Sequence, residues 1–598
     1  MPVKKEQFLI TQDNLQKAID VDDGRGRSCP INMNFIEEGY LTKDTGCSLF
    51  GAITAALFHS LFYFKKKDGT SYIIGFTADR MKKYNTTTSD WIDITSGTVT
   101  IDVATPALVH LTAHGLKAGS KIVFSTSGAL PTGIVAGTTY YVIAAGLTAD
   151  AFEISDTLAG SVINTSGTQS GTHTITRLYT VGAEVGYQTY DDTLYFGNAV
   201  ENYTKWTGTA FTEYDTAPKG NILEVFEDRM FVAGVTAEPL SIYYSKTADP
   251  VDFTVSSSAG GVVKPLGTDS VTGLENYYSQ LLIFKQTSIW KLTFIYDSVV
   301  TLFVPKLELQ SGNYGACSRK SVTWVENDIW FFTGDEVRSI GYRDQQTGVL
   351  GINSSVISDQ IKENLKNIAT SDYSKVTVFY NKRRFYLSVP LSSTVNDTVY
   401  VCHLLYGTKW TKYRSRIKAS VNSFMAIDGI VYSSRSSADY GVLKWSDSLL
   451  NDNSVAISSE VFFKRNEDKE FNRFTMYRYL DLMFKELQAQ VKVTVKQDAN
   501  DIRYTKERTF YVGNVVENEE NTIGEVTFGQ LLIADAFGET VDSSPFLKSR
   551  ISFLEKAQSL TIGLSNSGLD ETFTITQYAL TGFKETRKLF KPKSIISM

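Results

Sequence analysis

The side chains of this 598-residue chain best suited to chemistry are carboxylates. Asp22, Asp23, Asp191, Asp192, Glu227, Asp228 and Asp335 stand in short polar stretches. Separate segments of this kind can assemble the pair of carboxyls that acid–base work on a glycoside needs. Most of them, however, occupy the middle of tight turns, where Asp caps backbone N–H groups and tolerates unusual dihedrals, and that structural role accounts for them better. Asp22-Asp-Gly-Arg-Gly-Arg27 suggests a calcium or phosphate loop but lacks the alternating oxygen ligands and terminal Glu of a calcium loop. A solvated arm or a subunit contact fits it better. The five histidines, His59, His110, His114, His173 and His403, have no metal-ligand spacing. His110 and His114 would face each other only on a helix, whereas the sequence around them reads as strand and then turn. GxxxxGK[ST], HExxH, GxSxG and a strand-borne GxGxxG are all absent. No catalytic, cofactor-binding or metal-binding residues are therefore expected, and the chain is not expected to be an enzyme.

Two basic clusters, Lys65-Lys-Lys67 and Lys412 to Arg416, could touch DNA or a neighbouring subunit, and Tyr243-Tyr244 or Tyr277-Tyr278 could stack on sugars or bases. Isolated surface charge and blade-to-blade packing are the plainer readings. A formal net charge of −6 gives no sequence-wide attraction to phosphate. Cys29, Cys47, Cys317 and Cys402 are scattered without a CxxC, which fits a reducing compartment rather than a disulfide framework. Neither a signal peptide nor an apolar run of membrane-spanning length is expected.

The elements that would hold these residues are strands. Phe, Tyr and Trp make up 12% of the chain, and such residues suit a half-buried pleated surface. One pattern recurs: an apolar residue, a polar turn, then three mostly apolar or aromatic residues. Its copies are Tyr190–Phe196, Phe226–Val232, Tyr278–Phe284, Val325–Phe331, Tyr380–Tyr386 and Ala426–Tyr432, with starts 36, 52, 47, 55 and 46 residues apart. Four short strands and their turns need roughly 40–50 residues, so this is the period of a propeller blade. A further hairpin at Phe64–Ile74 lies 126 residues upstream of the first copy, out of phase. Between them, residues 97–178 are rich in Gly, Thr, Ser and Ala and nearly uncharged. Removing those 82 residues leaves a spacing of 44 and restores the period.

The fold predicted is all-β: a seven-bladed β-propeller with an inserted small β-module and a C-terminal β-sandwich-like domain. Its parts are an N-terminal arm at 1–48, the first blade at 49–96, the insert at 97–178, the remaining blades at 179–454 and the sandwich at 455–598. The insert is expected to project from a surface loop and fold on its own. After about residue 455 the alternation becomes longer, as in Gln488–Lys496 and Leu560–Leu564, which marks a solvated antiparallel sheet. One short helix is expected around Asp13–Ala18.

Two passages carry a family resemblance. Asp228-Arg-Met-Phe-Val-Ala-Gly234, Pro239-Leu-Ser-Ile-Tyr-Tyr-Ser245 and Ala248-Asp-Pro-Val-Asp-Phe253 resemble a stretch of the tail nozzle proteins of short-tailed bacteriophages, also called tail tubular protein B, and of the packaged-DNA stabilisation proteins. The lead-in, Asn32-Met-Asn34 with Gly39-Tyr-Leu-Thr-Lys43 and Thr45-Gly46, is similar to theirs, with Asp44 standing where a second basic residue is usual. In the insert, His114–Gly119, Gly128–Gly133, Thr139–Val142 and Asn164–Gly171 resemble a small β-module recurrent in phage tail proteins. The resemblance implies a structural virion protein of the tail, assembled in the bacterial host cytoplasm. It implies a hexameric tube below the portal-adaptor channel that retains the genome and passes it during ejection. The partners implied are five further copies, head-to-tail connector proteins, tail fibres or spikes, and genomic duplex DNA touched transiently and without sequence preference. It implies no cofactor and no membrane anchor. Rival readings are a receptor- or glycan-binding tail component and a propeller glycan hydrolase or lyase.

Overall fold

A computed structural model describes residues 5–9, 29–35, 40–51, 57–94, 96–256, 260–298, 302–344, 349–352, 356–406, 408–436, 441–463, 466–467, 475–498, 506–513, 547–557 and 559–584. The predicted helix at Asp13–Ala18 and the Asp22–Arg27 loop lie outside the described residues. The chain divides into two compact units, one made of Ser48–Val399 and Ile417–Trp445, the other of Met1–Cys47, Tyr400–Arg416 and Ser446–Met598.

The first unit is a seven-bladed β-propeller. Its blades open with the hairpins Ser60–Lys65/Ser71–Phe76, Gly186–Tyr190/Thr193–Gly197, Ile222–Phe226/Arg229–Ala233, Val271–Tyr277/Gln280–Lys285, Val322–Val325/Asp328–Phe332, Thr377–Asn381/Arg384–Val389 and Val421–Ile427/Ile430–Arg435. Six of them are the six copies of the sequence pattern, and the first is the upstream hairpin around Phe64–Ile74. The second to seventh hairpins close with two-residue turns, the first with the longer turn at residues 66–70. In the turns of the second and third blades both residues are left-handed, as right-twisted strands require, with φ of 42° and 58° at Asp191 and Asp192 and of 46° and 59° at Glu227 and Asp228. Short polar residues tolerate that left-handed pair, which is why the pattern places them there.

Aromatic and aliphatic residues fill the gaps between adjacent blades. Phe226, Phe231 and Ile242 of the third blade pack on Leu274, Leu281 and Leu292 of the fourth. Inner strands are also tied to their neighbours by hydrogen bonds, such as Asn276 Nδ2 to Val225 O (3.3 Å) and Asn381 Nδ2 to Gly429 O (3.0 Å). The ring closes between the seventh blade and the first, where Leu61 N–H donates to Ser423 Oγ (3.1 Å) and Asn422 Nδ2 to Phe58 O (2.9 Å). The chain ahead of the first blade also runs beside the seventh, with Phe50 N–H donating to Val442 O (2.7 Å).

Residues 97–178 form one seven-stranded sheet that rolls nearly closed, because its two end strands, Ala151–Phe152 and Ile154–Ser155, are consecutive in the chain. The module has its own core, including Ile122, Phe124, Phe152 and Ile175. It does not merely project, as the sequence suggested, but sits against the second blade. Arg177 Nε lies 3.1 Å from Glu213 Oε1, Ser120 Oγ donates to Glu213 Oε2 (2.5 Å), and Lys121 Nζ pairs with Glu201 (2.8 Å). Gly115 permits the approach, since a Cβ there would meet Phe211 O at 2.4 Å.

The second unit is a two-sheet β-sandwich. One sheet presents Leu480, Leu482, Phe484, Phe573 and Ile575 to the interior, the other Val461, Val493, Val495, Ile562 and Leu564. The lead-in expected to be an arm is woven into it. Met33–Phe35 pairs with Leu41–Lys43, which pairs with Thr572–Lys584. Arg416, expected in a surface basic cluster, is buried here between Asp44 (Nη1 to Oδ2, 2.5 Å) and Asp452 (Nη2 to Oδ1, 2.6 Å), and Lys412 is buried as well. Of the cluster's three basic residues only Arg414 is exposed, so no concentrated basic patch stands here.

Removing one partner of such a buried pair leaves an uncompensated charge, which typically costs about 3–5 kcal/mol. Arg416→Met is expected to lower the stability of this unit by at least about 3 kcal/mol in denaturant titration. An effect below about 1 kcal/mol, the level of a surface pair, would show that the Asp44–Arg416–Asp452 contact is not what fastens the lead-in.

Candidate functional site

The innermost strand of each blade lines the hub of the propeller, and in a ring of seven the fifth blade lies across from the first and second. Arg319 and Lys320 sit in a 3-10 turn, Arg319–Ser321, just before the inner strand of the fifth blade. Arg319 Nη2 donates to Val185 O (3.0 Å), next to the second blade. Lys320 Nζ donates to His59 O (3.1 Å), next to the first blade, and lies 3.2 Å from the Glu184 carboxylate. These two side chains span the hub. Burial alone would raise the Glu184 pKa, but Lys320 and Arg319 outweigh it and hold the carboxyl below its usual value. Burial and the Lys320 charge keep His59 neutral to lower pH than usual.

Deeper in the hub, the inner strands of the third and fourth blades place Glu224 and Glu275 together. Glu224 accepts a hydrogen bond from Gln188 Nε2 on the second blade (3.2 Å). Trp324 of the fifth blade donates to Asn276 O (3.1 Å) beside Glu275. Among the described residues no lysine or arginine acts on either carboxyl. Burial pushes Glu224 up to about 7 against the pull of the Val225 N–H and Gln188. Burial and then the Glu224 charge drive Glu275 well above the carboxylate range. The hub therefore favours the neutral form of both carboxyls. A glycosidase needs its two carboxyls pushed apart, one neutral and one ionised, whereas burial raises both of these.

The carboxylates singled out in the sequence do not converge here. Asp191, Glu227 and Asp228 are exposed turn residues and Asp192 a half-buried one, with Lys67 Nζ donating to Asp191 (2.7 Å), Lys67 N–H to Asp192 (2.8 Å) and Tyr190 OH to Asp228 (3.1 Å). Asp335 caps Thr333 Oγ1 (2.8 Å) in an exposed turn. Tyr277 and Tyr278 pack on Trp324 of the next blade, at ring-centroid distances of 5.1 and 5.6 Å, and Tyr244 packs on Phe294. Among the described residues no group of three or more potential ligands gathers for a metal. Glu224 and Glu275 were missed although a signal was present. In three successive blades a polar residue, Gln188, Glu224 or Glu275, stands two places before the aromatic that leads into the turn.

The passages that carry the family resemblance hold structural positions. In the third blade Arg229 Nη1 donates to Ser245 O (2.8 Å), Met230 N–H to Ser245 Oγ (2.9 Å), and Phe253 packs edge-on against Tyr203 (5.8 Å). In the lead-in, Asn32 bonds the backbone at Arg414 and Ser458, Asn34 donates to Asp44, and Lys43 Nζ donates to Asn566 Oδ1 (2.6 Å). A Cβ on Gly46 would meet Asn451 O at 1.6 Å. Asp44, the departure from the family pattern, is the partner of the buried Arg416.

Strand order and hub define an all-β propeller protein with an inserted β-module and an appended sandwich. No protein-family model matches the chain, and no curated protein does. Among solved structures it is similar to a putative exported protein from Bacteroides fragilis (10% identity, 44% of this chain and 88% of that one, TM-score 0.26). It is similar to an exo-β-1,3-galactanase from Phanerochaete chrysosporium (9%, 66% and 95%, 0.23) and to the N-terminal domain of Nup159 (11%, 55% and 96%, 0.27). Likenesses at these scores say nothing about function, and the propeller is read from the strand order itself.

A carboxyl with a raised folded pKa contributes stability in its neutral form, fully present below about pH 4.3 and lost as pH rises through the folded value. Glu275→Gln, which imitates the neutral form, is therefore expected to raise the melting temperature by a few degrees at pH 8 and to leave it unchanged at pH 4. Equal shifts at the two pH values in differential scanning calorimetry would mean that the hub pair is not held protonated.

Proposed function

We propose that this chain is a structural subunit of a bacteriophage tail, present as a hexameric nozzle below the portal-adaptor channel that retains the packaged genome and passes it during ejection. The observation that carries the reading is the spanned hub. With Arg319 and Lys320 bonded across it, the axis of one propeller offers no path for a duplex, so a conduit needs several copies arranged around a common lumen. The passages at 32–46 and 228–253 support the same reading through their resemblance to nozzle and DNA-stabilisation proteins. Both fix the fold, which is what a family signature in a structural protein would do. A net charge of −6 per chain suits a wall that must not hold phosphates, since each neutralised phosphate adds salt-dependent affinity that would stall passage. Connector proteins would sit above the ring and fibres or spikes beside it.

A second reading, glycan hydrolysis, is favoured only by the Glu224–Glu275 pair, and the shared upward shift of both carboxyls weakens it. Quantitative mass spectrometry of purified virions, with gold-labelled antibody to the insert, is expected to find six copies at the tail. A single copy, or label in the capsid shell, would overturn the reading. Hydrolysis of host surface glycans abolished by Glu224→Gln or Glu275→Gln would replace it with the second.

A further inference from the structure

The sandwich brings together a lysine, an asparagine and a glutamate from distant parts of the chain. Lys43 ends the strand Leu41–Lys43 of one sheet, and Asn566 ends the strand Ser559–Asn566 of the other. Both side chains are buried, at 2% and 5% exposure. Lys43 Nζ donates to Asn566 Oδ1 (2.6 Å) and to Gly568 O (3.0 Å). The carboxamide is held from its other end as well, where Asn566 Nδ2 donates to Gln490 O (3.0 Å) and to Glu571 Oε2 (2.5 Å). Glu571 is steadied in turn by the Gln490 N–H (3.3 Å). Gly568 leaves it room, since a Cβ there would meet the Glu571 carboxyl carbon at 2.0 Å.

An amine, an amide carbon and a carboxyl in this order are the parts of an acyl transfer. Nζ lies beside the carbonyl it would attack, one bond from the carbon, and Glu571 lies on the nitrogen that would leave. A structural ion pair would set the carboxylate on the ammonium, whereas here Glu571 bonds the amide nitrogen. Burial pushes the Lys43 amine down to about 8 against the attraction of Glu571 and Asp570, and the Arg416 charge pushes the same way as burial. A lysine that is desolvated or set beside another cation is activated as a nucleophile.

We propose that Lys43 and Asn566 join in an intramolecular isopeptide bond that ties the two sheets of the sandwich together. The neutral amine attacks Asn566 Cγ, the proton it sheds passes through Glu571 to Nδ2, the Cγ–Nδ2 bond breaks and ammonia leaves. Counted from the charged amine, one ammonium and one carboxamide give one secondary amide and one ammonium ion. Atoms and charge balance, and neither an oxidant nor a cofactor is consumed. The two strands belong to different sheets and share no hydrogen-bonded ladder, so the bond would be a tie that the backbone does not supply. It would close a loop between residues 523 apart in the chain and fasten the lead-in covalently. The inference goes beyond the tail reading and does not rest on it.

The test is mass spectrometry of the purified full chain, intact and after trypsin. A species is expected that joins the Lys43 and Asn566 peptides and weighs about 17 Da less than their sum, the mass of ammonia, with the same deficit in the intact chain. Glu571→Gln is expected to keep the strand signal in circular dichroism and to form the bond at least about tenfold more slowly, because the proton carrier is gone. Lys43→Arg, which keeps the charge but cannot form the amide, is expected to show no deficit and to melt at least about 5 °C lower, since a closed loop restricts the unfolded chain. Both peptides recovered unlinked, with the full mass of the sequence, after incubation of the unaltered chain at about pH 9, where the amine is neutral, would overturn the proposal whatever the variants do. A bond formed as fast in Glu571→Gln would overturn the role given to Glu571.

Discussion

A ring of radial sheets must return to its starting point, and the rest of the propeller follows from that requirement. Each blade has to present an inner strand of matching length, a turn compatible with its twist, and a face that fills the gap to its neighbour. The turns at Asp191-Asp192 and Glu227-Asp228 supply the second condition through paired left-handed residues. The aromatic-rich second strands supply the third. Closure then rests on a few bonds between the seventh and first blades, through Ser423, Asn422 and Phe58, with the chain around Phe50 laid alongside.

Closure creates a hub, and this chain fills its hub with side chains. Arg319 and Lys320 tie the fifth blade to backbone oxygens on the opposite side, while Glu224 and Glu275 sit on the inner strands with no cation acting on them among the described residues. A hub built to bind an anionic or sugar ligand would leave donors aimed at open space. Here Arg319 Nη2 and Lys320 Nζ are spent on protein oxygens, while Arg319 Nε has no hydrogen-bond partner among the described residues. These cross-hub bonds stiffen the ring, which is the property the proposed wall role would use. The polar fastening of the lead-in by Asn32, Asn34, Lys43 and Asp44 serves the same end within the sandwich.

Much of the propeller was legible in the sequence because its turns demand special residues. A two-residue turn with at least one left-handed residue favours short polar residues and Gly, and such a turn recurs in the second to seventh blades, although the sixth places Lys382 and Arg383 there. The bounds of the insert were legible for a related reason, since a change of texture and a broken period coincide at 97 and 178. What stayed hidden depends on contacts distant in sequence. Arg319 and Lys320 look like ordinary surface charges until the ring brings Val185 and His59 opposite them. Glu224 and Glu275 sit within strands where no turn rule marks them. The lead-in seemed an arm because three-residue strands such as Met33–Phe35 are too short to show alternation. Arg416 seemed exposed because only the folded sandwich supplies Asp44 and Asp452.

The account turns on where a duplex would run relative to these hubs. A cryo-electron microscopy map of the assembled tail tests this directly. It is expected to show six copies around one lumen, with nucleic acid or its vacated path between the propellers and each hub spanned by Arg319 and Lys320. A map with the chain as a single copy, or with nucleic-acid density running through a propeller hub, would contradict it.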